Sequence, residues 1–401
     1  MTQSSSPNAP VVERRATRFR LYPSSSQAAQ MARFAGACRF VYNLALEQRR
    51  DWWRQHRAVT GRRISYFGQA RELTALRADI DWLREAPAAA LQQALRDLDQ
   101  AFQNFFCGRA GFPTPRRKGV HDTFRFSDTS SFRTKRTGRA TGLILLPKLG
   151  WVHFRGWRTI PGALRNVTIS SRAGQWHAAI QWERDVPNRV LSTLPPVGID
   201  LGVAVFAALS DGTAVSPAAA FKGIEKRLRR AQRRIARKRR GSQNWKKQKA
   251  RIARLHRRAA DGRKDHLHKV STAIAKNHGM VVMENLAVRR MSASAAGTVE
   301  VPGRNVRAKA GLNRAIVDQG WSRFRELLAY KLPARGGRLV LVDPRNTSRR
   351  CSACGYVAVE NRPTQARFTC KACSHADNAD VNAARNILAA GLAAAACGGC
   401  V

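Results

Sequence analysis

Four cysteines limit this chain more than any other feature: Cys351-x-x-Cys354 and Cys370-x-x-Cys373, separated by 15 residues. Each C-x-x-C step sets two thiolates on one tight knuckle, and two knuckles complete a tetrahedral zinc shell with no open position. A closed four-sulfur shell is structural, and a redox pair would not come doubled at this spacing. Residues 346–376 therefore read as a zinc ribbon around one Zn²⁺. Cys38 and Cys107 stand alone in helical-looking sequence, and Cys397-Gly-Gly-Cys400, in the tail 397–401, has no partner pair and is given no role. Thiols kept for metal rather than for disulfides fit a reducing compartment.

Charge sets the second limit. Lys and Arg number 72 against 26 Asp and Glu, a formal net charge of +46 over 401 residues. Like charges this dense strain a compact state, so a polyanion belongs to the working particle. A hydrophobic content of 44% excludes a disordered basic tail and supplies a core for two or three domains. No run of 18 apolar residues occurs, and the first residues lack the apolar stretch of an export signal, so the expectation is a soluble, intracellular protein.

Along the chain, residues 1–16 read as a disordered leader and Thr17–Tyr22 as a strand ending at Pro23. Residues 24–110 follow helical spacing, with Ser26 as the expected first N-cap. Leu91, Leu95, Leu98, Phe102, Phe105 and Phe106 form one apolar face, expected to be core. Residues 109–120 carry two prolines and the basic residues Arg109, Arg116, Arg117 and Lys118, and read as a linker in which Arg116, Arg117 and Lys118 are candidate nucleic-acid contacts. From about 121 to 185 the apolar period changes to two, predicting a small β-barrel or sandwich completed by the strand at 17–22, with the helices inserted between its strands.

A third region opens at Pro195 and Pro196 with two strands in VGIDLGVAVFAALSDG. Residues 222–269 then hold 21 Lys/Arg against Glu225, Asp261 and Asp265, over a thin stripe of Leu228, Ala231, Ile235, Ile252 and Leu255. This predicts a basic helical hairpin turning near Gly241 and Ser242. Its face of Arg229, Arg230, Arg233, Arg237, Lys246 and Lys247 is a candidate phosphate-backbone surface. Next come a buried strand at 280–286, a flexible loop at 292–311, a helix from Leu312 to Leu332, the strand GGRLVLVD, and a last helix from Asp380 to about Ala396. No internal repeat is apparent.

Three carboxylates occupy positions where packing gives no reason for charge. Asp200 ends the apolar strand VGID, Glu284 ends VVME, and Asp380 opens the last helix in DNADVNAARNI. Together they have the logic of a nuclease in which two Mg²⁺ activate a water and stabilise the leaving oxygen of a phosphodiester. The same G-I-D-L-G string opens the nucleotide site of actin-like ATPases, but that fold needs a second glycine-rich phosphate loop and a duplicated domain, and neither is present.

At these residues the chain resembles TnpB, the OrfB-type protein of small bacterial insertion sequences. The likeness rests on VGIDLG, VVMENL, the module TSRRCSACGY…FTCKACSHADNADVNAARNIL and the N-terminal FRLYP…ACRFVYNLAL, and runs from about residue 17 to 396. It implies an RNA-guided DNA endonuclease, ancestral to type V CRISPR effectors, with an α/β multidomain architecture. Residues 195–345 and 377–396 would form a split RNase H-like (RuvC) nuclease domain interrupted by the ribbon. Residues 17–22 and 113–190 would be the β-barrel wedge domain, and 24–110 the helical recognition domain. The catalytic acids map onto Asp200, Glu284 and Asp380, with Asp377 a neighbour. Tyr42, Asn43, Arg49 and Arg50 are candidates for reading a motif flanking the target, and the loop at 292–311 for a lid or a plain connector.

The implied partners are a guide RNA from the element and double-stranded DNA, in the bacterial cytoplasm with the nucleoid and away from membranes, as monomer or dimer on DNA. Base pairing supplies specificity in such effectors while the protein holds the duplex by shape and charge. Three other readings stay open: a guided repressor that binds without cutting, a transposase acting directly in strand transfer, and a CRISPR-associated nuclease of the same lineage.

Overall fold

The computed structural model describes residues 11–55, 64–186 and 191–397. The chain divides into two compact units, Met1–Asn188 and Arg189–Val401.

The first unit opens with β1 (Val11–Tyr22), runs through α1 (Ser25–Gln55), α2 (Tyr66–Asp79), α3 (Asp81–Glu85) and α4 (Ala88–Phe106), and continues as β2 (Thr123–Phe126), β3 (Arg133–Arg136), β4 (Thr141–Leu146), β5 (Gly150–Arg155), β6 (Ala163–Arg172) and β7 (Gln175–Val186). The strands form one antiparallel sheet in the order β2-β6-β7-β1-β5-β4-β3, with no ladder between β2 and β3 among the described residues. Alternation dictates the core: Phe19, Leu21, Phe124, Phe126, Ile144, Val152, Val167 and Ile180 turn to one face, where Met31, Phe34, Leu91 and Leu95 of α1 and α4 join the same cluster.

Several expectations change here. Residues 1–10 lie outside the described ones, but Val11–Ala16 are strand rather than leader. They pair with Val186–Gln181 of β7, where Glu13 meets Arg184 at 2.7 Å and Arg14 meets Glu183 at 3.1 Å. The N-cap of α1 is Ser24, not Ser26: the Gln27 amide donates to Ser24 Oγ at 3.2 Å and the Ser24 amide to Gln27 Oε1 at 3.0 Å, a reciprocal capping box. β3, whose sequence RTKR shows no apolar alternation, is edge strand through its pairing with β4. The α4 stripe is buried as far as Phe102, but Phe106 is 55% exposed because the helix there runs past the core.

The second unit comprises β8 (Pro196–Asp200), β9 (Ala207–Leu209), β10 (Ala214–Val215), α5 (Lys222–Ala236), α6 (Gln243–Asn277), β11 (Met280–Glu284), α7 (Val288–Met291), α8 (Val306–Gln319), α9 (Trp321–Lys331), β12 (Arg338–Val342), β13 (Arg367–Thr369), β14 (Ala376–Asn378) and α10 (Ala379–Ala396). Its five-stranded sheet runs β10-β9-β8-β11-β12, with β8, β11 and β12 parallel and β9 and β10 antiparallel. The parallel strands are covered on both faces, hence their unbroken apolar runs. Leu267, Ile274, Phe324 and Leu328 of α6 and α9 pack with Val197, Ile199, Val281 and Met283, while Ile387 of α10 packs with Val282 and Val340.

The α5–α6 hairpin turns at Gly241, with φ +87°, and Ser242 caps α6 by accepting from the Trp245 amide at 3.1 Å. Ile224, Leu228 and Ala259 form its interior. The expected helix from Leu312 begins instead at Val306, so residues 306–311 leave the loop. It also breaks at Gly320, whose φ of +72° no helix interior accommodates.

Gly198 sets the seat of α10. A Cβ there would lie 2.1 Å from the Ala384 carbonyl oxygen and 2.7 Å from the Leu388 nitrogen, both backbone atoms that cannot rotate away. Gly198→Ala is expected to cost about 3 kcal/mol, at the upper end of overpacking penalties, measured as a lowered urea midpoint for the second unit.

Candidate functional site

Parallel pairing brings the first two acids together. Met283 pairs with Ile199, so Asp200 and Glu284 follow one another at the carboxyl ends of neighbouring strands, the edge where sheets of this kind present ligand-binding groups. The close packing of α10 on β8 adds the third. Asp380 lies in the first turn of α10, behind the N-cap Asn378, whose side chain accepts from the Asp380 and Val381 amides at 3.0 and 3.3 Å. Burial, then the carboxylates of Glu284 and Asp380, push the Asp200 carboxyl up to about 7, with Arg362 acting in the opposite direction. Burial also raises Glu284 above the usual carboxylate range, countered by its bond from Thr347.

Two residues that sequence reasoning missed complete the cluster. Thr347 donates its hydroxyl to Glu284 Oε1 at 2.5 Å, and Arg362 donates to Asp380 Oδ1 at 3.1 Å and to the Gln365 carbonyl at 2.6 Å. Both come from the cysteine-bearing segment, and nothing in the spacing of a lone Thr and a lone Arg signals such contacts. Asp377 faces elsewhere: it accepts from Arg385 at 2.6 Å and from the Asn378 amide at 2.7 Å. Glu284 and Asp380 stand near enough to Asp200 to raise its proton affinity, and such hard carboxylate oxygens suit a divalent cation such as Mg²⁺.

The four cysteines converge. Cys351 Sγ lies 3.7 Å from Cys373 Sγ and Cys354 Sγ 3.6 Å from Cys370 Sγ, and all four sulfurs fall within 4.8 Å of one another. A tetrahedron with metal–sulfur bonds of about 2.3 Å has edges of about 3.8 Å, so the residues fit a zinc ion. β13 and β14 form the hairpin beside them. Three buried asparagines fasten this module. Asn382 accepts from the Ser352 amide at 2.9 Å and donates to the Arg350 carbonyl at 2.8 Å, while Asn386 donates to the Thr347 and Arg350 carbonyls at 2.9 and 2.7 Å. Asn361 donates to the Arg349 and Tyr356 carbonyls at 3.0 and 3.2 Å. The other cysteines lie apart: burial pushes the Cys38 thiol up to about 12, Cys397 follows α10, and Cys400 lies outside the described residues.

The candidate nucleic-acid residues divide by commitment. Asn43 exchanges two hydrogen bonds with the Arg116 backbone at 3.0 and 2.7 Å, and the Arg116 guanidinium stacks 3.9 Å over the ring of buried Tyr42 while pairing with Asp97 at 3.1 Å. Arg49 bonds Gln69 and Asp99, each at 2.9 Å. Tyr42, Asn43, Arg49 and Arg116 thus hold this unit's own segments together. Arg50 is half-exposed beside Glu47 and Asp51. Arg117, Lys118, Arg229, Arg230, Arg233, Arg237, Lys246 and Lys247 are exposed, Arg229 within 3.2 Å of Glu225. Among the described residues no helix is long and apolar enough to cross a membrane.

The whole chain shares the fold of a solved structure titled as the mini-RNA-guided endonuclease CRISPR-Cas phi3: TM-score 0.52 at 9% identity, over 94% of this chain and 92% of that one. It is an α/β protein of the Cas12-like fold. Sequence narrows this further. A family model described as "Probable transposase" (OrfB_IS605) matches residues 179–295, and one described as "Cas12f1-like, TNB domain" matches 321–387. A third, described as "Helix-turn-helix domain" (HTH_OrfB_IS605), matches 14–58, where residues 14–55 here contain a strand and one continuous helix. An Escherichia coli (strain K12) protein provisionally named RNA-guided DNA endonuclease InsQ is 46% identical over 96% of this chain and 94% of its own length. A Streptomyces pristinaespiralis protein with the same provisional activity is 36% identical over 96% and 91%. The chain belongs to the IS605 OrfB family, the TnpB family.

Proposed function

We propose that this protein is an RNA-guided, Mg²⁺-dependent DNA endonuclease encoded by a transposable element, cutting beside a short flanking motif. The observation that carries the reading is the approach of Asp380, in the first turn of α10, to Asp200 and Glu284 at the carboxyl ends of β8 and β11, close enough for both Glu284 and Asp380 to raise the proton affinity of Asp200. The provisional activity of both full-length relatives supports it. The strand order β10-β9-β8-β11-β12, antiparallel then parallel, supports an RNase H-like (RuvC) centre built from 195–345 and 377–396. In the same reading residues 11–22 and 113–186 serve as wedge, and 24–110 as recognition domain.

Asp200, Glu284 and Asp380 would hold the metal, two Mg²⁺ in this reading, which would supply activation of a water and positive charge beside the leaving oxygen. The chain's own contribution is preorganisation. Thr347 fixes the Glu284 carboxylate, Arg362 fixes Asp380, and the Asn378 cap fixes the first turn that carries it. The exposed cations of α5 and α6 supply sequence-independent grip on phosphates, leaving selection to base pairing. With Zn²⁺ bound by Cys351, Cys354, Cys370 and Cys373, the cysteine module would keep Thr347 and Arg362 in place.

The test is cleavage of a guide-matched plasmid with a randomised flank, by protein co-expressed with the DNA that follows its gene. RNase-sensitive cutting at one flank sequence, absent in Asp380→Ala, is the expected result. Matched binding without cutting would make the protein a guided repressor, and cutting indifferent to RNA would return it to the transposases.

A further inference from the structure

The ends of α1 and α4 carry a second feature, distant in sequence from Asp200, Glu284 and Asp380. Trp53, Phe105, Phe106 and Phe112, with Arg50 and Arg54, line a pocket of about 490 Å³, a size typical of small-molecule sites. Its rings brace one another: Trp53 and Phe106 lie 6.2 Å apart at 34°, and Phe105 and Phe112 5.4 Å apart at 83°. Yet Trp53, Phe106 and Phe112 remain 43%, 55% and 47% exposed. Large contiguous apolar surface left in water marks an interaction site, and rigid ring faces suit a flat partner.

The rim specifies that partner's charge. Asp99, the acid of the lining, is bound by Arg49 at 2.9 Å and Gln103 at 3.1 Å, so it offers no free repulsion to an anion. Arg50 meets Glu47 and Asp51 only at 3.3 Å, in exposed pairs of the weak kind that a phosphate displaces. An apolar peptide would strip water from these guanidiniums without pairing them. A ring with a phosphate beside it satisfies both halves. We propose that this pocket receives an unpaired nucleobase from a single-stranded nucleic acid, its phosphate resting on Arg50 and Arg54. Stacking without edge-on hydrogen bonding makes the site tolerant of sequence. The proposal is independent of whether the protein cuts DNA.

Because the chain's overall charge binds any polyanion, the test is made on the full-length protein at about 0.3 M salt, where phosphate contacts weaken and stacking does not. Affinities for oligothymidylate and oligouridylate are compared with those for abasic oligomers of equal length, and 5-iodo-substituted versions are photocrosslinked and mapped. A preference of about tenfold for base-bearing strands is expected, with crosslinks at Trp53 or Phe106. Trp53→Ala should abolish the preference and Trp53→Phe retain most of it, which separates stacking from a folding defect. Whichever oligomer shows the larger preference, DNA or RNA, identifies the source strand. Equal affinity for abasic strands, or crosslinks confined to other residues, would overturn the proposal. So would a Trp53→Ala variant that changes from dimer to monomer with its crosslinks unaltered, since the pocket would then be a self-association surface.

Discussion

Asp200→Asn is expected to make the metal-free protein more stable while removing its ability to cut. The folded chain holds the Asp200 proton up to about pH 7, whereas an unfolded chain releases it near 3.8. Below pH 3.8 the carboxyl is neutral in both states and costs nothing. As pH rises from there to 7, only the unfolded state gains by ionising, so stability falls, and above 7 the full cost is present. That cost is on the order of 4 kcal/mol, from a shift of roughly three pKa units at about 1.4 kcal/mol each. The asparagine carries no charge and escapes it, so the second unit should melt about 10 °C higher at pH 8 without metal. Magnesium should raise the melting point of the wild type at pH 8, much less at pH 5, and hardly that of the variant. Cutting should be lost with matched-target binding kept. A variant that melts lower than wild type at pH 8, or that loses binding with cutting, would count against the metal-site assignment.

Removing zinc should be as damaging as removing an acid. Structural zinc supplies on the order of 10 kcal/mol to a small module of this kind. Cys370→Ser, or a strong chelator, should melt residues 346–376, freeing Thr347 from Glu284 and Arg362 from Asp380. Orienting partners of metal ligands are each worth about 10- to 100-fold, so losing both should lower kcat/KM for cutting by about 100-fold or more. Zinc content, limited proteolysis of the ribbon and cleavage rate read the three steps separately. A zinc-free variant cutting at the wild-type rate would dissociate the module from the site.

What the sequence disclosed, and what it withheld, follows from the range of the interactions. The four cysteines, the strand-end acids and the basic hairpin are local patterns, each legible because a short run of residues breaks the surrounding logic of apolar period or mixed charge. The gathering of Asp200, Glu284 and Asp380 was legible only through their repeated context at element ends. Thr347 and Arg362 were not legible, since their importance comes from the fold of the cysteine module. Tyr42 and Asn43 were candidates through the family resemblance of their helix and Arg116 through its basic run; no local pattern disclosed that they also contact one another. Phe105 and Phe106 looked like core because they continue a helical period, and periodicity carries no record of where the covering layer stops. The start of β1 at Val11 was hidden for the converse reason: its first residues are held by ion pairs on β7, which leave no hydrophobic signature.

The order of the acids along the chain has a temporal consequence. A polypeptide is made from its amino end, and its compact units fold as they emerge. The basic hairpin of α5 and α6 is complete before the cysteine module exists, and Asp380 follows the module. Asp380 also sits in the helix whose asparagines clasp that module, so its setting depends on the zinc knuckles having closed. On the proposed reading, a nascent chain can grip nucleic acid well before it can hydrolyse any. On that reading the order of synthesis leaves the hydrolytic centre for last, behind the basic surface that would hold its nucleic acid.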